Sequence, residues 1–328
     1  YYKMKPADFS QKIGELRTEK INALARLAQE SVLSDQALKI ANATIDYTYY
    51  GLKEQYPFRH KKALRSHSMP QLPPSFYEYR NHLGYNDKDL AYLRPYYDFM
   101  RYHIGNLSYA GCVHKCPGAQ TAATKDHLHF NRHKLRLIDS LVKEKELKDN
   151  LFRNVAFDYL LKARDKEENN KAFIEEFHRV SGNNKHIGEI NELYQGISNL
   201  QPQKQLPDVT VTRMDGTSVS IRDIAQDGKT VFYFWSGTNR NHLDHIAKQV
   251  KKLQAKKPKH TFVGINIQTE EATWRKLVNA HGLDTTLQYR AQDFHKLTKS
   301  LIVYPMNKCI ITEDAQIVDA FSDIYKGL

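Results

Sequence analysis

Val231-Phe232-Tyr233-Phe234-Trp235-Ser236-Gly237-Thr238-Asn239-Arg240-Asn241-His242 is the stretch that decides how this chain folds. Its first five residues are apolar or aromatic, follow directly on Thr230, and read as a buried β-strand. Asn239 is a favoured helix N-cap residue, and an amphipathic helix follows it with Leu243, Ile246, Val250 and Leu253 on one face. A strand that turns into a helix N-terminus gathers exposed amide N–H groups at the positive end of a helix dipole. There is no thiol at this turn, because no cysteine lies between Cys116 and Cys309. Chemistry that needs a thiolate nucleophile has nothing to use there.

Strand signals surround this unit. Val209-Thr210-Val211-Thr212 alternates, Asp215-Gly216 turns, and Ser218-Val219-Ser220-Ile221 returns as a hairpin. Thr261 to Ile267 reads as a second buried strand, and Glu270 to His281 as a helix with Trp274, Leu277 and Val278 inward and Gly282 as its stop. Lys308 to Thr312 and Gln316 to Phe321 predict a closing hairpin around Glu313-Asp314-Ala315. Together these elements predict a layered α/β domain.

Residues 1 to about 200 carry helical periodicity instead. Phe9, Ile13, Leu16, Ile21, Leu24 and Leu27 recur at helix spacing, and Ser34 can cap a second helix that fades near Gly51. Ser68 to Ser75 contains three prolines and reads as an extended loop. Helical patterns resume near Lys134 to Lys148, Leu151 to Ala163, Asn169 to Val180 and Gly188 to Leu200. The polar stretch Asn199 to Pro207, with two prolines, predicts a linker, and so domains at 1–200 and 201–328.

From about Leu206 to the end, the chain resembles the thioredoxin-like domain of the TlpA and AhpC/TSA-related group. Leu206-Pro207-Asp208 with Asp215-Gly216-Thr217 is similar to its entry hairpin, and Phe234-Trp235-Ser236 to the Phe-Trp-Ala before its active site. Tyr304-Pro305 falls where that fold places its cis-proline. The resemblance implies an α/β thioredoxin-like C-terminal domain, with a central mixed sheet flanked by helices, preceded by a mainly α-helical N-terminal domain. It puts the nucleophilic cysteine of the group at Asn239 and the resolving cysteine at His242, so oxidoreductase and peroxidase activity do not carry over. Phe76-Tyr77-Glu78-Tyr79 and Tyr96-Tyr97-Asp98-Phe99 are similar to the helical region before such domains in envelope proteins of Bacteroidota. That likeness implies export to the periplasm or outer membrane, often with a lipid anchor, which would lie outside this chain since no leader precedes Tyr1. It also implies a binding or scaffold role toward another envelope protein. The groove would involve Trp235, Asn239, Arg240, Asn241, His242, Tyr304 and Pro305. Capping by Asn239 alone is the other reading of this turn.

Composition narrows the partners. The 328 residues carry 49 Lys+Arg against 37 Asp+Glu, a formal charge of +12, which favours anionic surfaces. The densest basic run, Lys248 to Lys259, falls on the polar face and end of a helix, and no nucleic-acid module accompanies it. No run of about 18 apolar residues occurs. No cofactor motif is present. Cys112 and Cys116 are four residues apart, which in a helical turn sets their Cα atoms about 6 Å apart, within disulfide range. A structural bridge, an exchange-active pair, a zinc site with a histidine such as His114, and two free thiols all remain open. Cys309, on an apolar strand, reads as a buried small hydrophobe. His127, His129 and His133 cluster, with His129 and His133 four apart on one helical face, and His242 and His245 are three apart on another, but neither group shows the distant third ligand of a zinc site. The tyrosines Tyr47, Tyr49, Tyr50, Tyr92, Tyr96 and Tyr97 read as amphipathic packing or, with Arg94, Arg101 and Arg132, as an interface.

Overall fold

The computed structural model describes residues 1–115, 127–162, 165–304 and 306–326. They fall into two compact units, Tyr1–Gly188 and Glu189–Leu328.

The first unit is helical. α1 (Pro6–Glu30) starts on a proline whose fixed φ suits a first turn. α2 (Asp35–Ala63) is capped by Ser34, whose hydroxyl accepts from Ala37 N at 3.2 Å. α2 does not stop at Gly51 as the sequence suggests. It runs on through Gly51 and Pro57, because Gly51 lies flush on α3 (Arg94–Lys115), where a Cβ would be 3.8 Å from Phe99 Cα. After these come α4 (His127–Leu141), α5 (Lys145–Lys162) and α6 (Glu167–Ser181). The single helix expected over 134–148 is two, and Glu144 opens the second by accepting from Leu147 N at 2.6 Å. Phe9, Ile13, Tyr56 and Phe76 form one buried aromatic-rich cluster.

The second unit opens with α7 (Ile187–Asn199), which the sequence assigned to the helical half. Its apolar face, Ile190, Leu193 and Ile197, is buried. Gly196 lets it approach so closely that a Cβ there would sit 2.7 Å from Ile302 Cδ1, and Glu192 pairs with Lys299 at 2.7 Å. The compact boundary therefore precedes the proline-bearing stretch, which marks a change of path within this unit.

A seven-stranded sheet follows: β1 (Thr210–Thr212), β2 (Ser218–Ser220), β3 (Lys229–Trp235), β4 (His260–Asn266), β5 (Gln288–Ala291), β6 (Lys308–Glu313) and β7 (Gln316–Asp323), in the order β2-β1-β5-β4-β3-β6-β7. β3, β4 and β5 are parallel neighbours, while β6 runs antiparallel to β3. The connecting helices are α8 (Arg240–Lys256), α9 (Glu271–Ala280) and α10 (Phe294–Ser300). A parallel β-α-β unit beside a closing antiparallel hairpin is the thioredoxin-like arrangement, so the α/β unit and the helical region before it have the architecture expected from the sequence. β5 and α10 were not legible in the sequence; β5 lies inside the sheet and joins the β1–β2 hairpin to β4.

One face of the sheet packs Val231, Tyr233, Trp235 and Cys309 against Leu243, Ile246 and Val250 of α8 and Trp274 and Val278 of α9. Within it lies a polar chain. Trp235 Nε1 donates to Gln288 Oε1 at 3.1 Å, and Gln288 Nε2 donates to Tyr233 Oη at 2.9 Å. Burial pushes the Tyr233 hydroxyl up to about 12, so it stays a neutral donor and acceptor at any ordinary pH. Gly264, in register with Gln288, makes room for this chain. A Cβ there would overlap Gln288 Oε1 and lie 2.7 Å from Tyr233 Oη. Gly264→Ala is therefore expected to cost about 3 kcal/mol, through overpacking plus a broken buried hydrogen bond. Denaturant unfolding followed by tryptophan fluorescence checks this, since both tryptophans of the chain are in this unit.

Candidate site at the strand-to-helix turn

The turn after β3 is held from three sides. Trp235 O accepts from Ile267 N at 2.8 Å, which ties the end of β3 to β4. Gly237 N donates to Thr269 Oγ1 at 2.8 Å, and a Cβ at Gly237 would lie 2.7 Å from Leu277 Cδ1. Only glycine allows the turn to lie this close to α9. Ser236 Oγ and Thr238 Oγ1 then pair at 2.9 Å.

Asn239 and His242 are both turned to structural work. Asn239 Oδ1 caps α8 by accepting from His242 N at 3.1 Å. The His242 ring folds back so that Nε2 meets Phe234 O at 3.1 Å. A carbonyl only accepts, so Nε2 is the donor in this contact. Around them Arg240 and Asn241 are exposed, and the first turn of α8 contains no acid to oppose the helix dipole. Tyr325, 40% exposed, sets its ring edge-on to His242 at 6.3 Å.

The loop before β6 reaches the same end of the sheet, because β6 pairs antiparallel with β3 in the register Tyr233↔Cys309. Its conformation is strained. Ile302, a β-branched residue, has φ 51°, in the left-handed region. The Lys308 ammonium, buried and 4.2 Å from the centre of the Phe321 ring, donates to Leu301 O at 2.5 Å and Ile302 O at 3.2 Å and so fixes the bend. Tyr304, next along, is 57% exposed.

The predicted groove residues thus divide. Arg240, Asn241 and Tyr304 lie on the surface at this end of the sheet, and Asn239 and His242 shape the turn. Trp235 is wholly buried and forms the floor beneath the turn instead of lining a groove, because its indole is committed to Gln288. Pro305 lies outside the described residues. His245 Nδ1 meets Asn241 O at 2.5 Å, so it and His242 are each engaged with a different backbone carbonyl and do not converge.

In the helical unit the structure joins two motifs that the sequence kept apart. Cys112 Sγ lies 3.2 Å from His133 Nδ1, an arrangement that admits S–H···N or its proton-transferred form. Gly111 makes room for it, since a Cβ there would be 2.6 Å from His133 Cε1. Cys116 and the side chain of His114 lie outside the described residues, so the pairing of Cys112 with Cys116 does too. His127 and His129 are exposed. Among the described residues no three His, Cys, Asp or Glu side chains converge as a metal site. Cys309 is a core residue, as read from the sequence. Of the six tyrosines singled out, only Tyr92 is exposed. Tyr47 packs on Tyr96 at 4.6 Å, and Tyr50 stacks on Tyr79 at 4.4 Å, so most of the aromatic stripe is internal packing.

Sequence reasoning missed a buried polar cluster between α2, α3 and the 3-10 segment Pro74–His82. The fully buried Glu54 accepts from Tyr79 Oη at 2.8 Å, from Arg80 Nε at 2.9 Å and Nη2 at 2.5 Å, from His103 Nδ1 at 2.7 Å, and from Asn106 Nδ2. Burial alone would raise its carboxyl. The bonds from His103 and Arg80 outweigh that and hold it down to about 2.

Comparison with known proteins follows the fold. No family model matches the sequence, and no curated protein matches it. Solved structures similar to the chain include the thioredoxin domain of a thiol-disulfide oxidoreductase from Bacteroides vulgatus (21% identity, 37% of this chain and 87% of that one, TM-score 0.30). A thiol:disulfide interchange protein from Bacteroides sp. aligns at 19% identity over 37% of this chain and 81% of that one, with TM-score 0.31. A domain of a possible thiol-disulfide isomerase from Cytophaga hutchinsonii aligns at 18% identity over 39% of this chain and 88% of that one, with TM-score 0.33. Among the described residues no helix is long and apolar enough to cross a membrane.

Proposed function

We propose that this chain is a polypeptide-binding accessory protein of the cell envelope, whose thioredoxin-like unit engages an extended partner segment without thiol exchange. The observation that carries the reading is the inward commitment of Asn239 and His242. Both hold the turn, and Arg240, Asn241, Tyr304 and Tyr325 remain exposed at the same end of the sheet. Backbone pairing and aromatic contact supply affinity to an extended peptide without a nucleophile. The resemblance to Bacteroidota envelope proteins supports the compartment. A photo-crosslinking residue at position 304 or 241 is expected to trap a polypeptide partner in envelope extract, with a yield unaffected by reductant. The same residue at Lys252, on the polar face of α8, is expected to trap none. Equal yields at all three positions would remove the reading.

The 3.2 Å contact of Cys112 with His133 favours one second reading, thiol–disulfide exchange in the helical unit, in which the imidazole takes the thiol proton. Loss of disulfide turnover in Cys112→Ser would establish it.

A further inference from the structure

A cavity of about 290 Å³ lies among α2, α3, α4 and α5 in the helical unit. Its walls are apolar over most of their area, with Phe58, Ile104, Phe130, Ile138, Leu151 and Val155 contributing. Its charged lining is Arg59, Arg101 and Lys134 against Glu54 and Asp158.

Both carboxylates are already engaged. Glu54 is saturated by Arg80, Tyr79, His103 and Asn106, and Asp158 accepts from Lys162 Nζ at 2.5 Å. Arg59 lies over the Tyr2 ring at 4.9 Å, and Arg101 Nε donates to Asn154 Oδ1 at 2.9 Å. Arg101 also pairs with Asp98 at 3.5 Å, whereas the partners of the Lys134 ammonium among the described residues, Asn131 Oδ1 at 3.3 Å and the face of Phe130 at 4.4 Å, are neutral, as is the ring beneath Arg59. Burial pushes its pKa down to about 8, partly offset by Asp158 and reinforced by Lys162 and Arg101. Lys134 thus presents its charge to a largely apolar wall while the nearby carboxylates, Glu54 and Asp158, are engaged elsewhere, and an anionic ligand would give it a direct counter-charge.

We infer that this cavity binds a small monocarboxylate with an apolar body, a medium-chain alkanoate or an arylalkanoate, its carboxylate on Lys134 Nζ and its hydrocarbon against Phe58, Ile104, Phe130 and Leu151. The mostly apolar walls favour a ligand with a hydrocarbon body over a bare inorganic anion, and a neutral hydrocarbon would leave the ammonium unpaired. Gly105 borders the chamber opposite Lys134. A Cβ there meets only Lys134 Cε, at 4.0 Å, so a larger side chain at this position would grow into the space.

Calorimetric titration of the full chain with octanoate, octanol and inorganic phosphate tests the inference. Octanoate is expected to bind one per chain, with at least tenfold weaker binding in Lys134→Met and none in Gly105→Leu. In the unaltered protein the affinity is expected to be steady below the free pKa near 8 and to fall about tenfold per pH unit above it, as the free ammonium loses its proton. No octanoate binding, octanol binding as tight as octanoate, phosphate displacing it, or a flat pH profile would each overturn the assignment. The pH profile uses the unaltered chain, so it decides the matter even if a variant fails to fold.

Discussion

Glu54→Gln is expected to destabilise the helical unit by about 3–5 kcal/mol, the cost of breaking a buried ion pair from one side. Glu54 is fully buried, and its two oxygens collect Arg80, Tyr79, His103 and Asn106. A glutamine keeps the shape but presents one NH₂ to Arg80 or His103, so donor meets donor, and it leaves a half-buried guanidinium without its counter-charge. The pH dependence has a definite sign. The folded carboxyl sits at about 2 against an ordinary 4.5, so its contribution is complete above pH 4.5 and is lost as pH falls toward 2. That contribution is on the order of 3 kcal/mol. Denaturant unfolding followed by far-ultraviolet circular dichroism between pH 2 and 6 is expected to show this slope in the unaltered chain and its loss in Glu54→Gln. A loss of less than 1 kcal/mol with an unchanged slope would mean that the cluster is not what holds α2, α3 and the 3-10 segment together.

The double variant Asn239→Cys, His242→Cys is expected to gain disulfide reductase activity from background, by at least about tenfold, in an insulin-reduction assay driven by dithiothreitol. The turn already supplies what such chemistry needs. Position 239 is the N-cap of α8, where free amides and the helix dipole lower a thiol pKa, and position 242 is one turn further along the same helix. The substitution removes the Asn239 cap at a cost of about 1 kcal/mol. It also releases the His242 ring from Phe234 O. A folded double variant with no turnover would show that the correspondence of these two positions with the exchange cysteines is wrong.

What the sequence discloses depends on how local the signal is. Val231 to His242 shows its strand, turn and helix because apolar period and capping chemistry act within a few residues. β5 hid because it is four residues long and reads Gln288-Tyr289-Arg290-Ala291; Gln288 enters the core only to meet Trp235 and Tyr233. The two prolines after α7 mark a bend in the path, whereas the contact of Gly196 with Ile302, which helps group α7 with the sheet elements, joins residues far apart in sequence. The surface positions Arg240, Asn241 and Tyr304 were legible by correspondence with a known fold, and the apolar run showed the strand that ends at Trp235 as buried, but the pairing of its indole with Gln288 depends on a partner 53 residues away. The contacts of Glu54 with Arg80 and His103, and of Cys112 with His133, cross between helices at separations of 21 to 49 residues, and no spacing rule reaches across them.

The central claim is that this thioredoxin-like unit binds without exchanging thiols. The most direct measurement is the rate at which the unaltered chain reduces a generic protein disulfide under excess dithiothreitol, run beside the Asn239→Cys, His242→Cys variant and Cys112→Ser. The account predicts background turnover for the unaltered chain and for Cys112→Ser, with activity only in the double variant. Turnover by the unaltered chain that Cys112→Ser abolishes would contradict it and place the chemistry in the helical unit.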